Sequence, residues 1–249
     1  MSIQSLRSAF TNPPAEYRPM PLWVWNDELQ WSRLKEQLTQ FKRLGFGGVF
    51  VHPRPGLITE YLGEEWFDLW NRSLHYCKEL RMQCNIYDEN SYPSGFAGGH
   101  VPSVAPETTC QYVAMSFYSE KDRAPANVLA AFRIQKKNGR IISVKDVKHF
   151  APEKRRNGSP LMVFQLRRAA ASPWTGDFPY TDLTNPQTVK AFIATTHERY
   201  RKLFAKEFGK TIKASFADEP LIGTTGAYDA AQVALPLSQY TISEFQRRN

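Results

Sequence analysis

Apolar residues along this chain fall into short blocks of two kinds. Met20 to Asn26 (MPLWVWN) is a compact, β-favouring run, and the segment after it spaces Leu34, Leu38, Phe41 and Leu44 as one face of a helix. Asn26 or Asp27 is the expected cap of that helix and Gly45 its stop. Phe46 to His52 (FGGVFVH) is continuously apolar and rich in β-branched and aromatic residues, the pattern of a strand covered on both faces. Behind a proline-rich loop, Glu64 and Glu65 open and Lys78 and Arg81 close a helix that carries Trp66, Trp70, Leu74, Cys77 and Leu80 at helical spacing. Gln83 to Glu89 (QCNIYDE) is a third strand. A fourth, Thr211 to Glu219 (TIKASFADE), follows a helix predicted from Asn185 and Pro186 to Gly209, with Val189, Phe192, Thr196, Tyr200, Leu203 and Phe204 on one face.

Between the third strand and that helix the pattern changes to period two. QYVAMSFY, NVLAAFRI, RIISVKDV and LMVFQLRR read as strands, with Asn138-Gly139 as a hairpin turn between the middle pair. Strands alternating with helices predict a parallel sheet, and either a doubly wound sheet or a barrel begins this way. The strand ends favour the barrel. Each finishes in polar groups: Asn26 and Asp27, His52 and Arg54, Asp88 and Glu89, Asp218 and Glu219. A barrel gathers such ends on one face, and neither a G-x-G-x-x-G nor a P-loop motif is present to support a nucleotide site. A full barrel takes about 250 residues. This chain has 249, of which roughly 65 belong to the β-rich piece and 29 follow Pro220. The expected fold is therefore α/β, a partial (β/α)8 TIM barrel of four βα units with an inserted antiparallel β subdomain. Its expected parts are 1–106 with 173–249, and 107–172.

Composition narrows the class. Three cysteines with no C-x-x-C pair argue against a disulfide framework or a zinc site and point to a reducing compartment. No run approaches the ~20 apolar residues of a membrane span, and residues 1–20 lack the apolar core of a signal peptide, so a cytoplasmic protein is expected. The net charge of +8 is local. Glu120 to Arg168 holds 13 Lys and Arg against 4 Asp and Glu, leaving 19 against 20 elsewhere. In that window Lys136, Lys137, Arg140, Lys145, Lys148, Lys154, Arg155 and Arg156 accompany only Phe132, Phe150 and Phe164 as aromatics. Without a stacking platform, this is a solvated β surface rather than a nucleic-acid site.

Candidate chemistry lies at the strand ends. Pro220 prevents regular continuation of the last strand, so Glu219 sits where the chain leaves the sheet. A carboxylic acid shielded there can protonate a glycosidic oxygen, while a loop carboxylate or helix cap fits the tripeptide equally. Asp88, Glu89 and Asn90 suit sugar hydroxyls or a hard cation, or cap their loop. His52 and Arg54 in VHPRPG suit hydroxyls or fix a turn. Trp23, Trp25, Trp66 and Trp70 suit a core, with Trp25 near enough to the rim to stack on a sugar. His197, in TTHERY, has no second histidine at metal-binding spacing and reads as structural.

These motifs together, PLWVWND, GFGGVFVHPRPGLITEYLGEEWFDLW, NIYDENSYPSGFAGGHVP, TTHERY and FGKTIKASFADEP, resemble the catalytic domain of glycoside hydrolase family 106, the α-L-rhamnosidase-like enzymes. The resemblance runs through most of residues 13–222 and is weakest in the basic insert. It implies a (β/α)8 barrel that hydrolyses terminal α-L-rhamnosides with inversion, often with calcium. It places the general acid on Glu219 and lines the sugar pocket with His52, Arg54, Asp88, Glu89 and Asn90; Trp25, Asn26 and Asp218, at the other strand ends, are expected to join them as substrate-binding residues. The general base would come from a second half of the barrel, so a fragment, inactive alone and able to self-associate through its open edge, is expected. A retaining β-galactosidase-like enzyme and a non-catalytic carbohydrate-binding half barrel are the alternatives.

Overall fold

The computed structural model describes residues 2–118, 127–147, 160–223 and 233–249. In chain order its regular elements begin with α1 (Ile3–Thr11), β1 (Leu22–Trp25), α2 (Trp31–Arg43), β2 (Gly48–Pro53), α3 (Glu64–Glu79) and β3 (Gln83–Tyr87). There follow α4 (His100–Val104), β4 (Gln111–Tyr118), β5 (Val128–Lys137), β6 (Arg140–Asp146), β7 (Leu161–Arg168), β8 (Ala171–Ser172) and β9 (Phe178–Pro179). The last are α5 (Pro186–Thr195), α6 (His197–Phe204), β10 (Ser215–Phe216), β11 (Val233–Leu235) and α7 (Gln239–Arg248). None of the described helices is long and apolar enough to cross a membrane.

β1, β2, β3 and β10 form a four-stranded sheet in that order, every neighbouring pair parallel. One face carries the core. Trp23 and Trp25 from β1, Val49 and Val51 from β2, and Cys84 and Ile86 from β3 are buried with Leu34, Leu38, Trp66, Trp70, Leu74, Tyr200 and Phe204 from the helices. The side-chain alternation of a strand turns the other set outward. Leu22 and Val24 are 40% and 44% exposed and Phe216 39%, whereas His52, Asn85 and Tyr87 on the same face are buried, so among the described residues this second face is open at its two edge strands and covered in its middle. Trp25 lies edge-on to Trp23 and Trp66, with ring centroids 5.1 Å and 4.9 Å away, and Trp66 Nε1 donates to the Tyr200 hydroxyl at 3.1 Å.

The partial (β/α)8 barrel expected from the sequence is not formed. The next described strand after β10 is β11, and it does not continue the parallel sheet. It pairs antiparallel with β4, completing a five-stranded antiparallel sheet in the order β11-β4-β7-β5-β6. The architecture is mixed α/β, an open parallel sheet with helices and a separate antiparallel sheet. Periodicity reports the type of each element, but not which sheet a three-residue strand joins.

Smaller differences have local causes. The helix predicted from 185 to 209 is two helices, broken at Thr196 (φ −103°, ψ −75°), where the buried face continues through Phe192, Thr196, Tyr200 and Phe204 while Val189 and Leu203 point outward. Leu44, placed on the inner face of α2, is 73% exposed. The Asn138-Gly139 turn is present, both residues at positive φ between β5 and β6. Lys136, Lys137, Arg140 and Lys145 lie exposed on these two strands, and Lys136 Nζ sits 3.9 Å from the Phe117 ring centre. Lys148, Phe150, Lys154, Arg155 and Arg156 lie outside the described residues.

Candidate functional site

The residues that leave the C-terminal edge of the parallel sheet are organised by one carboxylate. Glu89, fully buried two residues after β3, accepts five backbone N–H bonds. Oε1 takes Asn90 at 2.8 Å and Gly98 at 2.5 Å; Oε2 takes Gly95 at 3.0 Å, Phe96 at 3.0 Å and Ala97 at 2.8 Å. Loop 90–98 is thus wrapped around its own anchor. Burial pushes this carboxyl up, to about 8, against the downward pull of the backbone N–H groups of Asn90, Ala97, Gly98 and Gly95. Gly95 makes the wrap possible. Its φ of +138° is essentially a glycine conformation, and a Cβ there would meet Leu183 Cδ2 at 2.7 Å.

Beside this loop stand groups from β2, β3 and the segment after β10 that lie on the second face of the sheet. His52 is 2% exposed, its ring 3.7 Å from that of Tyr87, and its Nδ1 has no hydrogen-bond partner among the described residues. Burial and the nearby Arg54 push the imidazole down to about 4, with Asp218 pulling the other way, so it is neutral at pH 7. Tyr87 donates to Asp218 Oδ2 at 2.5 Å and also lies 2.8 Å from the Ser91 carbonyl; burial and the same aspartate push its phenol up and keep it protonated. The Arg54 guanidinium lies 5.5 Å from the Tyr92 ring centre. A cavity of about 230 Å³ next to it is lined by Arg54, Leu57, Asn90, Ser91 and Phe96, with the 173–176 turn on the far side.

Asp88 faces the other way. Its Oδ1 accepts from Ser94 Oγ at 2.6 Å and its Oδ2 lies 3.3 Å from His197 Nε2, which gives that histidine a partner the helical pattern did not reveal. The set contains Ser, His and Asp but in the wrong order for a nucleophilic triad, since the aspartate and not the histidine touches the serine.

Glu219 is exposed, one residue beyond Asp218, and holds a φ of +41°. For a residue with a Cβ this costs about 1–2 kcal/mol, so its neighbours must hold it. The shielding by aromatic rings that the sequence invited is not what surrounds it. Asn26 is exposed after β1, and Trp25, at 1% exposure, faces the core rather than the rim. Of the eight residues predicted to line a sugar site, His52 and Asp218 meet around Tyr87, and Arg54 and Asn90 share the small cavity. Asp88 and Glu89 are occupied with the loop. Their oxygens already have partners, and no group of three His, Cys, Asp or Glu side chains able to hold a metal occurs among the described residues. Tyr87, Ser94 and Tyr180 were missed. Tyr87 sits in an apolar run and Tyr180 directly after β9, and only the folded chain brings them to Asp218 and Ser94.

No protein-family model matches this chain, and no curated protein matches it. Among solved structures, a rhamnosidase from Novosphingobium sp. PP1Y aligns at 24% identity with a TM-score of 0.34, over 52% of this chain and 13% of that one. The chain thus spans about an eighth of the length of that enzyme. A likeness this low carries no argument about fold or site.

Proposed function

We propose that this chain carries the sugar-binding and acid-bearing part of a glycoside hydrolase acting on terminal α-L-rhamnosides with inversion, and that Glu219 is its general acid. The observation that supports this best is a neutral buried histidine, its Nδ1 without a partner among the described residues, lying near Asp218, the residue before a solvent-facing carboxylate held in a left-handed turn. An uncharged sugar is recognised by hydrogen bonds to its hydroxyls, and a neutral imidazole offers one donor and one acceptor for them. Asp218, whose Oδ2 accepts from Tyr87, is a second polar group beside it for a sugar hydroxyl. Glu219 protonates the departing oxygen as the bond to the anomeric carbon breaks. Inversion also requires a base about 6.5–9.5 Å away to activate water. Asp88 and Glu89 are engaged within the loop and Asp218 with Tyr87, and we assign the base to none of them.

The test uses the full chain. Titration calorimetry with methyl α-L-rhamnoside should show binding that His52→Ala weakens, and Glu219→Gln should slow hydrolysis of this alkyl glycoside more than that of 4-nitrophenyl α-L-rhamnoside, whose leaving group needs less protonation. Absence of both binding and turnover overturns the reading, and product of retained configuration replaces it with a β-galactosidase-like mechanism.

A further inference from the structure

The turn that carries Glu219 is gripped on one side by the Glu89-anchored loop and on the other by Tyr180. On one side Ser94 binds both backbone groups of Asp218. Its Oγ accepts the Asp218 N–H at 2.8 Å, and its own N–H donates to the Asp218 carbonyl at 2.8 Å. On the other side the Tyr180 hydroxyl accepts the Leu221 N–H at 3.2 Å and donates to the Ser94 carbonyl at 2.7 Å. Glu219 lies between these two holds, in the one conformation of the turn that an L residue resists. Ser94 and Tyr180 are each 1% exposed, so water does not compete for these bonds. The Ser94 hydroxyl proton goes to Asp88, itself held by His197 of α6, which fixes the hydroxyl so that its lone pair faces the Asp218 amide.

We propose that Ser94 is a positioning residue for the Glu219 carboxylate, acting through the backbone of Asp218, with Asp88 and His197 orienting its hydroxyl. This rests on the reading of Glu219 as the acid. It touches no substrate, so its loss misplaces the acid without removing a sugar contact. Misplacement of a reacting group by about 1 Å can cost on the order of 100-fold in rate.

Ser94→Ala, Ser94→Cys and Glu219→Gln in the full chain are compared on methyl and 4-nitrophenyl α-L-rhamnoside, alongside hydrogen exchange at the Asp218 amide. Ser94→Ala is expected to lower kcat on the methyl glycoside about 10- to 100-fold with KM within about twofold. The nitrophenyl glycoside should lose less, and Ser94→Cys, whose thiol is a weak donor and acceptor, should fall between. Asp218 amide exchange should rise about tenfold or more, the loss of one buried hydrogen bond. If Ser94→Ala does not fold, Ser94→Cys carries the same comparison. Full kcat on the methyl glycoside in the Ser94 variant, beside a loss in Glu219→Gln, overturns the positioning role and leaves the acid in place. If Glu219→Gln changes nothing in a chain that does turn over, the acid reading has failed; a wild-type chain that turns over neither glycoside is the outcome expected when the base lies outside it, and leaves no kcat to compare. The grip on the turn is then decided by Asp218 exchange alone, and unchanged exchange overturns it.

Discussion

Glu89→Gln is the sharpest perturbation the loop offers, because it alters one atom and no volume. A carboxyl group has two oxygens that accept, whether or not one carries a proton; an amide has one oxygen, and its nitrogen accepts nothing. The five N–H groups on Glu89 cannot all be satisfied by glutamine. The better of its two orientations keeps the oxygen where Oε2 serves Gly95, Phe96 and Ala97, all buried, and strands the amides of Asn90 and Gly98, which are half-buried. An unsatisfied buried donor costs about 1–3 kcal/mol and partial access to water lowers that, so the two together should cost about 2–4 kcal/mol. Urea unfolding followed by tryptophan fluorescence measures the total, and amide exchange at 95–98 shows whether the loop opens by itself first. The sign of the pH dependence follows from a folded pKa raised from 4.5 to about 8. Glu89 stabilises the folded chain fully below the lower value and loses that contribution as pH rises through the upper one. The gap between wild type and Glu89→Gln should therefore be widest in acid and shrink by pH 8. A variant within about 0.5 kcal/mol of wild type, the scatter of ordinary surface changes, with unchanged exchange at 95–98, would refute the anchoring argument.

Three further outcomes follow from single residues. His52, depressed from 6.5 to about 4, contributes stability that is complete above 6.5 and lost as pH falls through about 4; urea midpoints of wild type and His52→Gln at pH 7 and pH 4 should converge in acid, and parallel curves would contradict a neutral buried ring. Trp25→Ala should cost about 3–5 kcal/mol of stability, as for other buried large aromatics, and a variant of wild-type stability with weakened sugar binding would return this ring to the rim. Gly95→Ala must place a Cβ at φ +138° against Leu183 and should lose about 1–3 kcal/mol with faster exchange in the 90–98 loop, measured by the same two methods.

What was legible in the sequence was the type of most elements and the edge of the sheet at which polar groups collect. Val49, Val51, Cys84 and Ile86 form the inner face of continuous strands, and Trp66, Trp70, Leu74 and Cys77 keep the period of the helix that covers them. These follow from local geometry, since spacing of 2.0 or 3.6 residues fixes which side chains share a face. The strand ends at His52, Asp88 and Asp218 were visible for the same reason.

Only the tertiary structure decided the rest. Whether β11 extended a parallel sheet or closed an antiparallel one is a contact between residues 233–235 and 113–115, more than a hundred positions apart, and no periodicity encodes it. The same distance separates Ser94 from Asp218. Asp88, Glu89 and Asp218 are three carboxylates of one chemical type in the sequence. The fold gave the first a serine and a histidine, the second a cage of backbone amides and the third a tyrosine, and left Glu219 facing solvent. Sequence determined which residue types reach this edge, because strand alternation is local. Their separate roles depend on burial and on partners drawn from distant segments, which exist only once the chain has folded.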